Sequence, residues 1–220
     1  MVADTPDAVR PRIWLGIEFA ALYFGAPLAI ALFLPPRMMF LALLVFTLTG
    51  LILLWRTGGF RWRTLVRGWS RVNWVVLAGF TIGVGILGWA IMAVSRPDYV
   101  LPVDAARLRF LMVIWALYPL LSALPQELIF RPLFFHRYGS LLPLGNAGIV
   151  VNAAVFSFAH LMYWSWVVAI MTFAGGLIFA RAYLDRGFPF AWLLHALAGN
   201  MLFAVGMGYY FWSGNVVRPF

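Results

Sequence analysis

Apolar runs of about twenty residues, the length an α-helix needs to cross the hydrocarbon core of a bilayer, recur along this chain from end to end. They fall roughly at 13–34, 38–55, 73–95, 108–124, 146–162, 165–183 and 189–212. In lipid only a structure that satisfies its own backbone N–H and C=O groups survives, and for runs of this length that structure is the helix. The expectation is an all-α fold, a polytopic helical membrane bundle of about seven spans. A short kinked helix at about 125–138, starting afresh at Pro125, is expected between the fourth and fifth spans. Only 10% of the 220 residues are charged, against about a quarter in soluble domains. No polar stretch is long enough to fold as a second, soluble domain. The expected organisation is a cytoplasmic tail at 1–12 and a single helical membrane domain at 13–220.

Punctuation between the runs agrees with these cuts: Pro35-Pro36-Arg37, Gly58-Gly59, Arg96-Pro97-Asp98 and Asp185-Arg186-Gly187 are turn sequences. The N-terminal residues lack the features of a cleaved signal peptide. The net charge of +9 would suit a nucleic-acid binder, but in a membrane protein it reads as the positive-inside bias, so nucleic acid is not expected as a partner. All sixteen basic residues are Arg, which points to genomic base composition and a bacterial cytoplasmic membrane. Arg10, Arg12, Arg56, Arg61, Arg63, Arg67, Arg71, Arg131, Arg137, Arg181 and Arg186 fall on the N-terminal side of the bundle. Arg37, Arg96, Arg107, Arg109 and Arg218 fall on the other. The excess places the N-terminus in the cytoplasm. The segment 56–71 mixes Arg with Trp and Phe and is expected to lie along lipid headgroups. With no cysteine, disulfides and thiolate metal sites are excluded.

Against this apolar background a few polar side chains stand out, since ionisable groups at membrane depth face a cavity or one another. Glu127 and Arg131 are four residues apart and share a helical face, with the acid on the N-terminal side. Pro132, lacking an N–H, is expected to kink their helix. Phe156 and His160 share a face in the same way. His195 and Asn200 lie five residues apart in the last span, about 140° around a helix, beside the small residues Ala196, Ala198 and Gly199. Asn152, two turns before His160, is placed to line the same cavity. Each element also has a plainer reading: a structural ion pair, a packed histidine, helix-packing contacts. Glu18 has no partner nearby in sequence and is expected near the cytoplasmic end of the first span.

Taken in order, the three elements resemble the CAAX-protease and bacteriocin-processing (CPBP, or Abi) family of intramembrane endopeptidases. That family's pattern is Glu-Glu-x-x-x-Arg, then Phe-x-x-x-His, then His-x-x-x-Asn or Asp. Here it reads Gln126-Glu127-Leu-Ile-Phe-Arg131, Phe156-Ser-Phe-Ala-His160, and His195 followed by Ala-Leu-Ala-Gly-Asn200, over about 108–205. The resemblance implies hydrolysis of a peptide bond within the membrane, on a peptide or protein substrate entering from the membrane or the cytoplasm. By the same resemblance Glu127 and His160 would activate water, His195 and Asn200 would form the oxyanion hole, and Arg131 would orient the acid.

Two positions depart from the pattern. Gln126 replaces the first Glu and cannot act as a general base. Glu127 would have to replace it from a direction about 100° away around the helix. Asn200 stands five rather than four residues after His195, a shift that a π-bulge near Gly199 would correct. The favoured mechanism uses no cofactor. The alternative is a zinc ion on Glu127, His160 and His195, although the HExxH spacing is absent. Two other functions stay open: an inactive relative that binds a peptide or lipidated tail, and a small transporter or scaffold in which these residues form a proton or ligand path.

Overall fold

The computed structural model describes residues 12–99 and 105–219, so the expected tail, Arg12 apart, lies outside the described residues, as does Arg10. Six helices among them are long and apolar enough to cross a membrane. They are α1 (Arg12–Phe33), α2 (Pro36–Trp55), α3 (Trp74–Ser95), α4 (Ala105–Arg137), α5 (Asn146–Phe158, extended by a turn to Tyr163) and α6 (Trp166–Arg186). A shorter apolar helix, α7 (Phe188–Ala204), completes the seven, and α8 (Gly208–Phe211) is a single turn. The last run was expected to continue to residue 212. It stops early because the chain turns at Gly206, whose φ of 92° suits glycine.

Local chemistry sets the other ends. The Asn73 side chain caps α3 by accepting from the Val76 N–H at 3.1 Å. Ser165 does the same for α6 through Val168. Gly187, with φ 96°, reverses the chain between α6 and α7 in one residue, and Pro189 suits the first turn that follows.

The break expected before Pro125 is absent: α4 runs unbroken through 33 residues. Pro119, Pro125 and Pro132 are accommodated by widening the helix rather than ending it. Wider π-helical turns occur at Pro119–Ala123 and Ile129–Arg137. Carbonyls loosened by these turns find side chains from other helices. Tyr23 of α1 donates to Ile129 O at 2.7 Å, Asn152 of α5 to Phe130 O at 2.7 Å, and Trp192 of α7 to Pro119 O at 2.8 Å.

Helices α4 and α7 are the centre of the bundle. α7 packs against α3, α4 and α6, while α4 also meets α2. α5 and α6 approach closely at Gly176, where a Cβ would lie 2.9 Å from the Ala153 Cα. Large apolar side chains cover the outside: Val75, Val94 and Trp166 are 82%, 87% and 85% exposed. Such a surface is stable only in lipid, and the protein is an integral membrane protein. The segment 56–71 folds as two short 3₁₀ turns, and Arg186 donates to Arg71 O at 3.1 Å. Arg12 donates to Ser140 O. Arg186 thus ties the α6–α7 turn to the 56–71 segment, and Arg12 reaches the loop that follows α4.

Candidate active site

The ion pair inferred from residues 127 and 131 is present and completely buried. Both side chains are 0% exposed. Arg131 Nε donates to Glu127 Oε2 at 3.0 Å and Nη2 to Oε1 at 3.2 Å, a fork matched to the carboxylate. Arg131 Nη1 donates to Phe130 O and to Asn152 Oδ1, so Asn152 braces the guanidinium from α5 while its own amide holds Phe130 O. The Phe156 ring faces the same guanidinium, 5.2 Å from its centroid. Arg131 therefore serves as an internal counter-ion and leaves the count of charges that set orientation.

The third bond to Glu127 comes from α7. His195 Nδ1 lies 2.9 Å from Oε1. Facing an ionised carboxylate, Nδ1 carries the proton, which leaves Nε2 a lone pair. Nε2 accepts from the Tyr118 hydroxyl at 3.2 Å. Two aromatic rings fix the imidazole plane: Phe179 is stacked on it at 4.9 Å, and Phe156 meets it edge-on at 5.6 Å.

Glu127 and His160, which the resemblance sets to activate water together, are not bonded to each other: α7 brings His195 to the carboxylate. His160 lies just past the end of α5. Its Nδ1 donates to Phe156 O at 2.7 Å, and its ring packs against Phe156 at 4.7 Å. The shared face of Phe156 and His160 is thus real, and it holds the second imidazole with its Nε2 free of that bond.

Asn200 does not join this group. α7 is regular α-helix throughout, with no π-bulge near Gly199 to bring residue 200 round. Its Nδ2 donates instead to Trp115 O at 3.2 Å, and Trp115 Nε1 returns a bond to Asn200 O at 3.0 Å. Trp115 O is the carbonyl four residues before Pro119, which has no N–H to reach it. The plainer reading of Asn200, a helix-packing residue, describes its contacts.

A cavity of about 690 Å³ opens beside these residues, and its polar lining includes Tyr118, Ser122, Gln126, His160 and His195. Glu127 lies behind this wall. The turn of the helix that separates residues 126 and 127 aims Gln126 into the cavity and Glu127 into the protein. Gln126 Nε2 donates to Ser122 Oγ at 3.0 Å, and Oε1 has no partner among the described residues. Where the family pattern has its first Glu, this chain presents an amide to the cavity, and the acid that remains lies behind the wall.

This geometry does not suit the zinc alternative. Both Glu127 oxygens are held by Arg131 and His195, and among the described residues no three His, Asp or Glu stand as a metal-ligand group.

Sequence reasoning missed Tyr118, Ser122 and Phe179. The first two were legible: residues 118, 122 and 126 are spaced four apart, a polar stripe on one face of an otherwise apolar span. Phe179 carried no signal that separates it from other buried rings.

Residues 108–202, which contain all three motifs, match the family model described as Rce1-like, type II CAAX prenyl endopeptidase. Searches of characterised proteins and of solved structures returned no match. Over the helices that build this site, from α4 to α7, the chain is thereby similar to the CAAX-protease family of membrane endopeptidases.

Proposed function

We propose that the protein is an intramembrane endopeptidase whose general base is His195, oriented by Glu127. The observation that carries this reading is the 2.9 Å bond between Glu127 Oε1 and His195 Nδ1, which leaves the opposite nitrogen at the cavity wall. A carboxylate behind a neutral imidazole fixes its tautomer and stabilises the imidazolium formed when Nε2 takes a proton from water. Arg131 keeps Glu127 ionised, and Asn152 and Phe156 hold Arg131 in place. The family's work is divided differently here: the acid orients and the histidine accepts the proton.

The cavity walls are mostly apolar, which suits an apolar peptide segment or a lipidated tail. The name of the matching family points to prenylated C-terminal peptides as the first substrates to try. The N-terminal side, to which the charge count assigns Arg12, the 56–71 segment and the α6–α7 turn, is proposed to face the cytoplasm. Gln126 favours one other reading: a site that binds a peptide or lipidated tail without cutting it.

The deciding experiment is cleavage in reconstituted membranes on a panel of apolar peptides with and without a C-terminal prenyl group. Wild type is expected to cut, and folded His195→Ala to lose at least about 100-fold in rate, as removal of a positioned base does. Gln126→Glu is expected to be unnecessary for cutting. Silence of wild type together with cleavage by Gln126→Glu would establish the non-cleaving reading instead.

A further inference from the structure

If His195 is the base, the site also needs a hydrogen-bond donor for the carbonyl oxygen under attack. Neither imidazole supplies one. His160 Nδ1 faces Phe156 O, which only accepts, and His195 Nδ1 faces a carboxylate. Each Nδ1 carries its ring's proton, and each Nε2 presents a lone pair. Asn200, which the family pattern would aim at the oxyanion, spends its amide on Trp115 O. The Gln126 amide is engaged by Ser122 Oγ. Four hydroxyls also line the cavity, those of Tyr118, Ser122, Tyr163 and Thr172; Thr172 donates to Val168 O, and it is the Tyr118 hydroxyl that lies 3.2 Å from the nitrogen that would take the proton of water.

What stands four residues after His195 explains why a phenol is there. The family pattern has Asn or Asp at that position, and this chain has Gly199. A Cβ at Gly199 would lie 2.1 Å from a Tyr118 ring carbon and 2.5 Å from its hydroxyl oxygen. Real Cβ contacts are never that short, so the ring of Tyr118 fills the space that the family's side chain would occupy. The amide lost at position 199 and the phenol contributed by α4 are two halves of one replacement.

We propose that Tyr118 is the oxyanion donor of this site and that Gly199 is the residue that admits it. The proposal rests on the endopeptidase reading. At rest the Tyr118 O–H donates to His195 Nε2. When a peptide and a water enter, water takes the nitrogen and the phenol turns to the substrate carbonyl. Water loses a proton to Nε2 as its oxygen bonds to the carbonyl carbon. The carbonyl π pair moves onto oxygen, where the Tyr118 O–H holds it. Collapse of the tetrahedral species breaks the C–N bond, and the departing amine takes the proton from Nε2. Tyr118 stays protonated throughout, and water is the only co-reactant.

The test compares two peptide probes of one sequence on protein in lipid nanodiscs: an anionic phosphinate in place of the scissile bond, and an uncharged, uncleavable ground-state isostere. Tyr118→Phe is expected to weaken phosphinate binding about 10- to 100-fold and to leave the isostere within about twofold, because the lost bond forms only to an oxyanion. In turnover, the same variant should lower kcat and leave KM unchanged. Gly199→Asn introduced into Tyr118→Ala should recover part of the phosphinate affinity that Tyr118→Ala loses, by returning the amide to the space the ring has left.

Equal weakening of both probes by Tyr118→Phe would make Tyr118 a packing residue and overturn the proposal. So would selective loss in Ser122→Ala with none in Tyr118→Phe. Failure of the endopeptidase reading looks different. A wild type that cuts no peptide, yet loses phosphinate selectivity in Tyr118→Phe, keeps the donor and removes the protease. A wild type that cuts, with Tyr118→Phe unchanged in kcat, keeps the protease and removes the donor.

Discussion

The chain contains two glutamates, and each holds an arginine of α4 by two oxygen contacts. Glu127 and Arg131 lie one turn apart on the same helix and are 0% exposed. Glu18 comes from α1, 119 residues away from Arg137 in sequence, and its side chain is 27% exposed. Arg137 Nε lies 2.5 Å from Glu18 Oε1, the Tyr138 hydroxyl donates to the same oxygen at 2.7 Å, and Arg137 Nη1 reaches Leu53 O and Thr57 Oγ1 on and just beyond α2. The outer pair thus fastens three parts of the bundle together. The inner pair, being intrahelical, fastens nothing by itself. Burying two charges costs several kcal/mol per ion, and a well-packed apolar pair of similar volume is often as stable. What the inner pair adds is the third bond, to His195. One pairing chemistry serves cohesion at the edge of the bundle and orientation at its centre.

The sharpest way to break that comparison is Glu127→Gln. It leaves Arg131 buried without its counter-ion, and removing one partner of a buried pair costs about 3–5 kcal/mol. It also takes the carboxylate from His195. Unfolding in detergent should show the stability loss, and cleavage should disappear. The double variant Glu127→Gln with Arg131→Met separates the two effects. Taking out both charges should return most of the stability and none of the activity. Recovery of cleavage in the double variant would mean that Glu127 served only as a counter-ion.

Glu18→Gln should move the two readouts the other way. The variant keeps the shape of the side chain and its bond from Tyr138, and it loses the charge that faces Arg137. The expected cost is about 1.5–3 kcal/mol, the range for hydrogen bonds to charged groups. kcat should be unchanged well below the unfolding transition. A fall in kcat that outruns the loss of folded protein would show that the clamp reaches the site through α4, and the two pairs would no longer divide as argued.

The contrast also separates what could be read along the chain from what could not. Glu127 and Arg131 were legible because helical spacing alone puts them on one face. The apolar runs announced the spans, and the order of the three motifs announced the family resemblance. Glu18 and Arg137 were opaque: nothing local connects residues 18 and 137, and only the packing of α1 on α4 brings them together. The same limit applies to the site. Spacing along α4 shows that residues 126 and 127 point apart, but only the placement of α7 shows that Glu127 meets His195 rather than His160. The unbroken course of α4 was hidden for another reason. Proline reads as a stop wherever the backbone must satisfy itself, and here Tyr23, Asn152, Trp192 and Asn200 take up the loosened carbonyls from other helices.

Asn200 gives the smallest expected effect and the finest test of how far the family pattern carries. As an oxyanion donor it would be worth about 100- to 1,000-fold in kcat. As the partner of Trp115 O it is worth one hydrogen bond between α4 and α7. Asn200→Ala leaves that carbonyl unpaired at a partly exposed site, a loss of about 1 kcal/mol. The variant should unfold slightly earlier than wild type, keep its kcat within about twofold, and keep its preference for the phosphinate probe. Since Tyr118→Phe is expected to do the reverse, losing kcat with little change in stability, measuring both variants on one preparation identifies the residue that holds the oxyanion. A large kcat loss in Asn200→Ala with Tyr118→Phe unaffected would mean that α7 rotates on substrate binding and that the family's arrangement is restored only in the complex.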